Sequence, residues 1–137
     1  MSSDIGTASE SEVQRLIARN EELENIRARL EQSERSKRHL LPQRRFSETF
    51  ELKHDNQNDR YIVTIGRYAD GNIGEVFITG QKAGSNVEAV ARDGAVLLSI
   101  ALQFGVPLEV IKGAITRNSD GSPSTIVGAV IERLTAL

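Results

Sequence analysis

Residues suited to binding an anion stand in the sequence GQKAGS, which follows a predicted strand and precedes a predicted helix. Backbone amides at a helix N-terminus attract anions, and a lysine beside them adds positive charge. The candidate phosphate ligands in this segment are Lys82, Gly84 and Ser85. Arg44 and Arg45, from a basic segment, are further candidates. The Walker pattern GxxxxGK[ST] is not met because the lysine precedes the second glycine, so a plain strand-to-helix connection is the competing interpretation.

No group of residues in the sequence predicts a catalytic site or a metal site. The absence of cysteine excludes disulfides, thiolate ligands, cysteine nucleophiles and redox chemistry through a thiol. His39 falls in the basic segment and His54 in a polar turn, neither of them near enough carboxylates to complete a set of three or four ligands. We therefore predict no catalytic residue, no metal ligand and no cofactor. Charged residues that become buried are expected to form structural ion pairs, and the candidates are Arg67, Glu75, Arg92 and Asp93.

The basic segment itself is a second candidate binding surface, with five cationic residues: Arg35, Lys37, Arg38, Arg44 and Arg45. Such a segment can contact a phosphate backbone. However, no aromatic residues alternate with the cations for base stacking, and the chain has a net charge of -2. We do not expect nucleic acid as a partner and favour a solvated hinge or an acidic protein partner.

A long helix is predicted to precede this segment, after a disordered tail over residues 1–9. Over residues 10–38, Leu16, Leu23 and Leu30 recur at heptad spacing, so the helix is amphipathic and resembles a coiled coil. Asn20, at an alternate seam position, can set the register of a parallel dimer. A stripe this narrow must be covered by a second copy, by the rest of the chain or by another protein. We predict oligomerisation or docking through these four residues.

The rest of the sequence predicts a basic linker over residues 39–48 and a compact domain over residues 49–137. Alternating apolar residues indicate strands at 49–53, 61–67 and 74–79, and Asp70-Gly71 is a typical hairpin turn. Three antiparallel strands with one apolar face need a helical cover. The predicted fold class is α+β, in which a central helix and two C-terminal helices cover the sheet.

The central helix is predicted over residues 86–104, with Ser85 and Glu88 forming a capping box at its start. From Gly94 to Leu102 it is apolar on nearly every side, so we expect it to be covered on every side. Gly94 and Ala95 would allow a neighbouring element to approach closely. A short helix is predicted from Pro107 to about residue 117, and Pro123 is expected early in the last helix.

No membrane or secretion signal is evident in the sequence. No apolar run approaches the roughly 18 residues of a membrane span, and the N-terminus lacks the apolar core of a signal peptide. We therefore expect a cytoplasmic protein with no membrane partner.

Several sequence blocks resemble the TSCPD domain, which occurs at the C-terminal end of adenosylcobalamin-dependent ribonucleotide reductases and as small free-standing proteins. The resemblance covers roughly residues 41–137 and rests on the order and combination of the blocks. These blocks are LPQRR at 41–45, TIGRYADG at 64–71, GEVFI at 74–78, KAGS at 82–85 and LQFGVPLE at 102–109, with Tyr61, Asp93 and Ser99.

The resemblance implies a connection to deoxyribonucleotide synthesis, to ribonucleoside-diphosphate reductase activity and to adenosylcobalamin. Reduction of a ribonucleotide in that family requires a thiyl radical and a reducing cysteine pair, which this chain lacks. The nearest counterpart of the Thr-Ser-Cys-Pro-Asp stretch is SPSTI at 122–126, without the cysteine. Reductase activity by this chain alone is therefore not expected.

The leading hypothesis is a non-catalytic accessory or regulatory module whose N-terminal helix binds a second copy or a protein partner. A reductase catalytic subunit is one candidate partner. The first alternative is a nucleotide-binding domain, or part of a ribonucleoside-diphosphate reductase activity, that uses Lys82 and Ser85 for phosphate. The second alternative is nucleic-acid binding through the basic linker.

Overall fold

The computed structural model describes residues 2–35, 37–54, 59–80, 82 and 84–137. The chain divides into two units, Met1–Lys37 and Arg38–Leu137. The first unit contains one helix, and the second contains a three-stranded sheet with three helices. The structure therefore confirms the α+β fold class. None of the helices in the described residues is long and apolar enough to cross a membrane.

Helix α1 spans Ser2–Arg35. It therefore includes residues 2–9, for which the sequence predicted a disordered tail; Met1 lies outside the described residues. Each residue added to an existing helix gains a backbone hydrogen bond, so a helix can extend beyond its amphipathic part. The side chains of Leu16, Leu23 and Leu30 are 65%, 53% and 63% exposed.

The sheet consists of β1 (Phe46–His54), β2 (Asp59–Arg67) and β3 (Ile73–Gly80), in the order β1-β2-β3, with both pairs antiparallel. Each strand is longer than predicted, and β1 begins inside the predicted linker. The turn after β2 contains Gly71 with a φ of 90°, a conformation that favours glycine. The predicted polar turn between β1 and β2 falls largely on residues outside the described ones.

Helix α2 (Asn86–Gln103) covers the inner face of the sheet. The Ser85 hydroxyl accepts a hydrogen bond from the Glu88 amide at 3.2 Å, and the Glu88 carboxylate accepts one from the Gly84 amide at 3.0 Å. The Ser85 half of the predicted capping box is therefore present, whereas Glu88 reaches back to the Gly84 amide instead of the Ser85 amide. The core joins strand residues to Ala91, Ala95 and Leu98 and to α4, and its strand residues are Tyr61, Val63, Ile65, Val76 and Ile78.

The prediction that α2 is covered on every side is wrong. Val90 and Leu97 are 59% and 68% exposed in the described structure. The sheet covers one face of the helix, and α4 reaches it at Gly94, where an added Cβ would overlap Val127. One sheet and one crossing helix leave the opposite face of α2 uncovered.

Two short helices complete the second unit: α3 (Leu108–Ala114) and α4 (Ile126–Thr135). Thr125 caps α4 by accepting a hydrogen bond from the Gly128 amide at 3.0 Å. Pro123 does not lie in this helix as predicted, because it forms an isolated antiparallel bridge with Arg117. The connection between the helices is therefore an ordered loop stabilised by hydrogen bonds.

Candidate functional site

A groove in the second unit has a volume of about 850 Å³. One wall is the turn after β2, and the other is the connection between α2 and α3. Its apolar lining includes Ile73, Leu102, Val106, Leu108 and Leu134. Because pockets of about 300–1,000 Å³ with a few polar groups are typical of ligand sites, this groove is the candidate functional site.

Gln103, at the end of α2, connects three segments beside the groove. Its side chain is buried, its amide nitrogen donates a hydrogen bond to the Gly74 carbonyl at 2.9 Å, and its amide oxygen accepts one from Arg38 at 2.6 Å. Its backbone carbonyl accepts a bond from the His39 amide at 2.9 Å. A buried amide with all these partners satisfied is well suited to fixing segment positions. Gln103 therefore holds residues 38–39 and the start of β3 against α2.

Tyr68 contacts the same two segments as Gln103, at residues 39 and 74. Its hydroxyl donates a hydrogen bond to the His39 carbonyl, and its ring packs so closely on Gly74 that an added Cβ there would overlap it. Burial raises the pKa of the Tyr68 phenol, and the nearby carboxylates of Asp70 and Glu75 raise it further, while Arg38 opposes them. The phenol is therefore a neutral donor with a structural partner.

Arg45 and Glu75 form a bidentate ion pair. The second Arg45 contact, Nη2 to the Glu75 Oε2, is 3.0 Å, and its Nη1 donates to the Pro42 carbonyl at 3.0 Å. The hydrogen bond to Glu75 raises the pKa of Arg45 above its ordinary value. An added Cβ at Gly66 would overlap the Glu75 carboxylate, so this position needs glycine.

The basic segment from Arg38 to Arg45 is thus fastened to the domain, and the interpretation as a solvated hinge is wrong for this part. Arg38 contacts Gln103 and Arg45 contacts Glu75, so neither cation is free. Arg44 is exposed. The hinge interpretation failed because the partners of these cations are distant in sequence: Gln103 belongs to α2 and Glu75 to β3.

The predicted phosphate ligands do not meet at one site. Lys82, Gly84 and Ser85 lie between β3 and α2, whereas Arg45 binds Glu75 near the opposite end of β3. A separate cavity of about 380 Å³ is lined by Lys82 and Ser85, but its lining also includes Asp59, Arg60 and Glu88. The two carboxylates balance the two cations of this lining, so it carries no excess positive charge to attract an anion.

The two histidines were considered as metal ligands and lie on different segments, His39 before the sheet and His54 at the end of β1. Within the described ranges, no group of three or more His, Cys, Asp or Glu residues lies close enough to hold a metal ion. His39 uses its backbone to contact Gln103 and Tyr68. Ion pairs were predicted for any of four charged residues that became buried. Arg67 and Glu75 are partly buried, and they pair with Glu48 at 2.9 Å and with Arg45. Arg92 and Asp93 are exposed, so the prediction does not apply to them.

The predicted oligomerisation residues all lie on α1. Leu16, Leu23 and Leu30 expose more than half of their surface, and Asn20 is also exposed. These four residues are therefore available on the helix surface within the first unit.

Tyr68 and Gln103 were not singled out from the sequence as site residues. A glutamine at the end of an otherwise apolar helix is a weak signal for a buried hydrogen bond, and a tyrosine before an Asp-Gly turn is weaker. Their partners, at residues 38–39 and 74, could be assigned only in three dimensions.

The fold and site define a class of protein: a small α+β domain with an open three-stranded sheet. Its groove is built from two of the sequence blocks that carry the family resemblance. TIGRYADG supplies one wall and LQFGVPLE the other. The profile of the TSCPD domain family matches residues 23–136. The chain therefore belongs to the TSCPD domain family. The match begins at Leu23, so it includes the C-terminal part of α1, which the resemblance at 41–137 did not cover.

The most informative relatives are described as vitamin B12-dependent ribonucleotide reductases. The protein from Rhodopirellula baltica is 49% identical over 49 residues, covering 36% of this chain and 5% of that protein. The protein from Agrobacterium fabrum is 35% identical over 79 residues, covering 58% of this chain and 6% of that protein. The chain thus spans only about a twentieth of the curated relatives that it matches. No solved structure matches this chain significantly.

The names of these relatives imply a corrinoid cofactor. The described residues of this chain do not fit one. A corrinoid with its adenosyl group is far larger than the drug-sized ligands that pockets of about 300–1,000 Å³ enclose. The groove described above, of about 850 Å³, lies within that range of volumes. No chemical step is therefore assigned to such a group in this chain.

Proposed function

We propose that this chain is a non-catalytic accessory or regulatory module of vitamin B12-dependent ribonucleotide reduction. The proposal rests on the contacts made by three residues of the signature blocks, Tyr68, Glu75 and Gln103. Each is engaged with a partner in the same domain, His39, Arg45 or Gly74. Polar groups that hold one another in place stabilise a domain and are not available to a substrate.

The lack of cysteine in the chain supports the same proposal. The reaction of the resembled reductases needs a thiyl radical and a pair of reducing cysteines, so another polypeptide must supply them. Family membership over residues 23–136 connects the chain to these reductases. A module that contributes binding without chemistry is consistent with both facts.

Helix α1 is proposed as the docking or oligomerisation element. Its exposed stripe of Leu16, Leu23 and Leu30 gives a hydrophobic contact at every second turn, and Asn20 beside it can select one register. The partner is either a second copy of α1 or a helix of a reductase catalytic subunit.

Binding to the vitamin B12-dependent reductase of the same organism tests this proposal. We expect the full chain to form a complex with the reductase in isothermal titration calorimetry. The combined variant Leu16→Gln, Leu23→Gln, Leu30→Gln is expected to weaken either this complex or the self-association of the chain. The matched control is Glu22→Gln with Arg29→Gln, which changes exposed residues off the leucine stripe. Equal behaviour of both variants and the unchanged chain would refute the role of the stripe.

A further inference from the structure

A groove lined by arginines adjoins the apolar groove at the turn after β2. It has a volume of about 450 Å³, and we call it the arginine groove. Arg67 and Tyr68 line both grooves, which therefore form one continuous cleft. Arg44, Arg45 and Phe46 line the arginine groove alone. Its lining among the described residues contains no carboxylate, so cations determine the charge of this part of the cleft.

Two of the three arginines have donors left for a ligand. The Arg44 side chain is exposed and forms no hydrogen bond or ion pair with the described residues. Arg67 donates from Nε to Glu48 at 2.9 Å and from Nη1 to the Gly71 carbonyl at 2.8 Å, so among the described contacts its Nη2 is not used. A guanidinium has five N–H donors in a planar fork. The arginine groove therefore combines a fixed donor with a cation that can close on a ligand.

The charges around the arginine groove leave it positive. Glu48 and Glu75 neutralise part of the charge of Arg67 and Arg45, but neither carboxylate lines the groove. Asp70 lines the apolar groove, and its two carboxylate oxygens accept hydrogen bonds from a neighbouring asparagine at 2.9 and 3.0 Å. A cleft lined by one sign of charge concentrates ligands of the opposite sign. We therefore expect the occupant to be anionic.

The composition of the arginine groove favours a protein segment over a phosphate. Arginine and aromatic residues are enriched in protein–protein interfaces, whereas lysine is depleted. The described lining contains three arginines with Phe46 and Tyr68, and no lysine. Phe46 is 76% exposed and offers an apolar contact beside the cations. Phosphate sites often use the amides of a helix N-terminus, and none of the described residues that line this groove belongs to a helix.

The apolar groove supplies further contacts for the same occupant. Its lining includes Ile73, Leu102, Val106, Leu108 and Leu134. A drug-sized ligand fills a cavity of about 300–1,000 Å³, and the apolar groove alone has about 850 Å³. A cleft that continues beyond this volume suits a longer occupant. An extended peptide meets both requirements when acidic and apolar side chains occur along it.

We propose that this cleft binds an extended acidic segment of a partner protein. Carboxylates of the segment pair with Arg44 and with the Nη2 group of Arg67, and an apolar side chain covers Phe46. Apolar residues further along the segment occupy the apolar groove. The cleft lies wholly in the unit Arg38–Leu137, so its role does not depend on helix α1 or on a reductase as the partner.

Isothermal titration calorimetry of the full chain with a synthetic peptide tests this assignment. The probe is an acetylated and amidated peptide in which glutamates alternate with leucines, so its glutamates carry its charge. We expect binding that weakens as salt is added. Arg44→Glu should lower the affinity by at least about tenfold because like charges across an interface repel. Arg44→Gln, a smaller change at the same position, should give a smaller loss.

Lys53→Glu is the matched control because it makes the same change of charge at an exposed position. Lys53 lies seven residues along β1 from Phe46, or about 23 Å away. This variant should bind the peptide as the unchanged chain does. The combined α1 leucine variant should also bind it unchanged, which separates the cleft from the leucine stripe. Circular dichroism of each variant establishes that the domain is folded.

Two altered peptides test the two parts of the cleft. A peptide with glutamine in place of glutamate should not bind measurably, because it has no carboxylate for the arginines. A peptide with serine in place of leucine should bind at least about tenfold more weakly, because it loses the burial of apolar side chains.

Several results would overturn the proposal. Absence of binding by the glutamate–leucine peptide, or equal losses in Arg44→Glu and Lys53→Glu, would show that the arginine groove is not the site. Loss of binding in the combined α1 variant would place the peptide on the leucine stripe. Equal binding of the glutamate–serine peptide would indicate attraction by charge alone. Binding of ATP or of a short single-stranded oligonucleotide that is lost in Arg44→Glu would assign the groove to phosphate.

Discussion

Ser99 of α2 accepts a hydrogen bond from the Val76 amide of β3, with 2.8 Å between its hydroxyl oxygen and the Val76 nitrogen. Its single hydroxyl proton faces two acceptors, the Ala95 carbonyl at 2.8 Å and the Val76 carbonyl at 3.1 Å. One helical turn later, Gln103 donates to the Gly74 carbonyl. Two side chains of one helix thus occupy the outer edge of β3 at residues 74–76. An edge whose backbone groups are occupied cannot pair with another strand there.

Removing the Ser99 hydroxyl should destabilise the domain, because the Val76 amide is buried and would lose its partner. We expect Ser99→Ala to lower the free energy of unfolding by about 1–3 kcal/mol. Ser47→Ala, at an exposed position on β1, should change it by less than about 0.5 kcal/mol. Chemical denaturation followed by circular dichroism measures both, and equal values for the two variants would contradict the role of Ser99.

Two glycines should respond in opposite directions to an added methyl group. At Gly74 the new Cβ would overlap the Tyr68 ring, so Gly74→Ala should lower the free energy of unfolding by about 1–3 kcal/mol. At Gly113 in α3 the new Cβ meets no atom within 4 Å, so Gly113→Ala should raise it by up to about 1 kcal/mol through helix propensity. Thermal melts of the two variants test the packing described around Tyr68, and the same sign for both would contradict it.

The raised pKa of Tyr68 makes the domain less stable in alkali. Between the ordinary value of about 10 and the raised value, the unfolded chain releases a proton that the folded chain retains. Stability is therefore fully present below pH about 10 and falls as the pH rises through the folded-state pKa. Ultraviolet titration of Tyr61→Phe, which leaves Tyr68 as the remaining tyrosine, should give a midpoint above about 10. A midpoint below 10 would contradict the described surroundings of the phenol.

Nucleotides provide a direct test of the alternative function at the start of α2. The Ser85 hydroxyl and the Glu88 carboxylate already accept hydrogen bonds from amides at this helix end, and Glu88 adds negative charge. We therefore expect no stabilisation by nucleoside di- or triphosphates in a thermal-shift panel. A ligand at 100 times its Kd would stabilise by about 2.7 kcal/mol. A shift of that size that disappears in Lys82→Ala would favour the nucleotide-binding alternative.

The regular elements of this domain were predictable because each follows a local rule. The alternation in β2, the Asp-Gly turn and the Ser85–Glu88 cap depend on residues close together in the sequence, and all three are present. The fold class followed from their order. Strand and helix ends were less accurate, as expected where tertiary contacts extend or shorten an element.

The features that could not be predicted depend on contacts distant in sequence. The attachment of Arg38 and Arg45 requires Gln103 and Glu75, which lie 65 and 30 residues away. Likewise, the apolar run in α2 predicted full burial, but the small sheet and α4 cover only part of the helix circumference. The oligomerisation or docking role of α1 stays a prediction because it concerns another polypeptide.

A ribonucleotide reduction assay tests whether the chain is an accessory module without catalysis of its own. The purified chain is assayed alone with adenosylcobalamin and a dithiol, and then with the reductase of the same organism. We expect no deoxyribonucleotide from the chain alone. We expect a changed reductase rate in the mixture, which returns to its basal value with the combined α1 leucine variant. Turnover by the chain alone, or a reductase rate that the chain leaves unchanged at saturation, would contradict the accessory role.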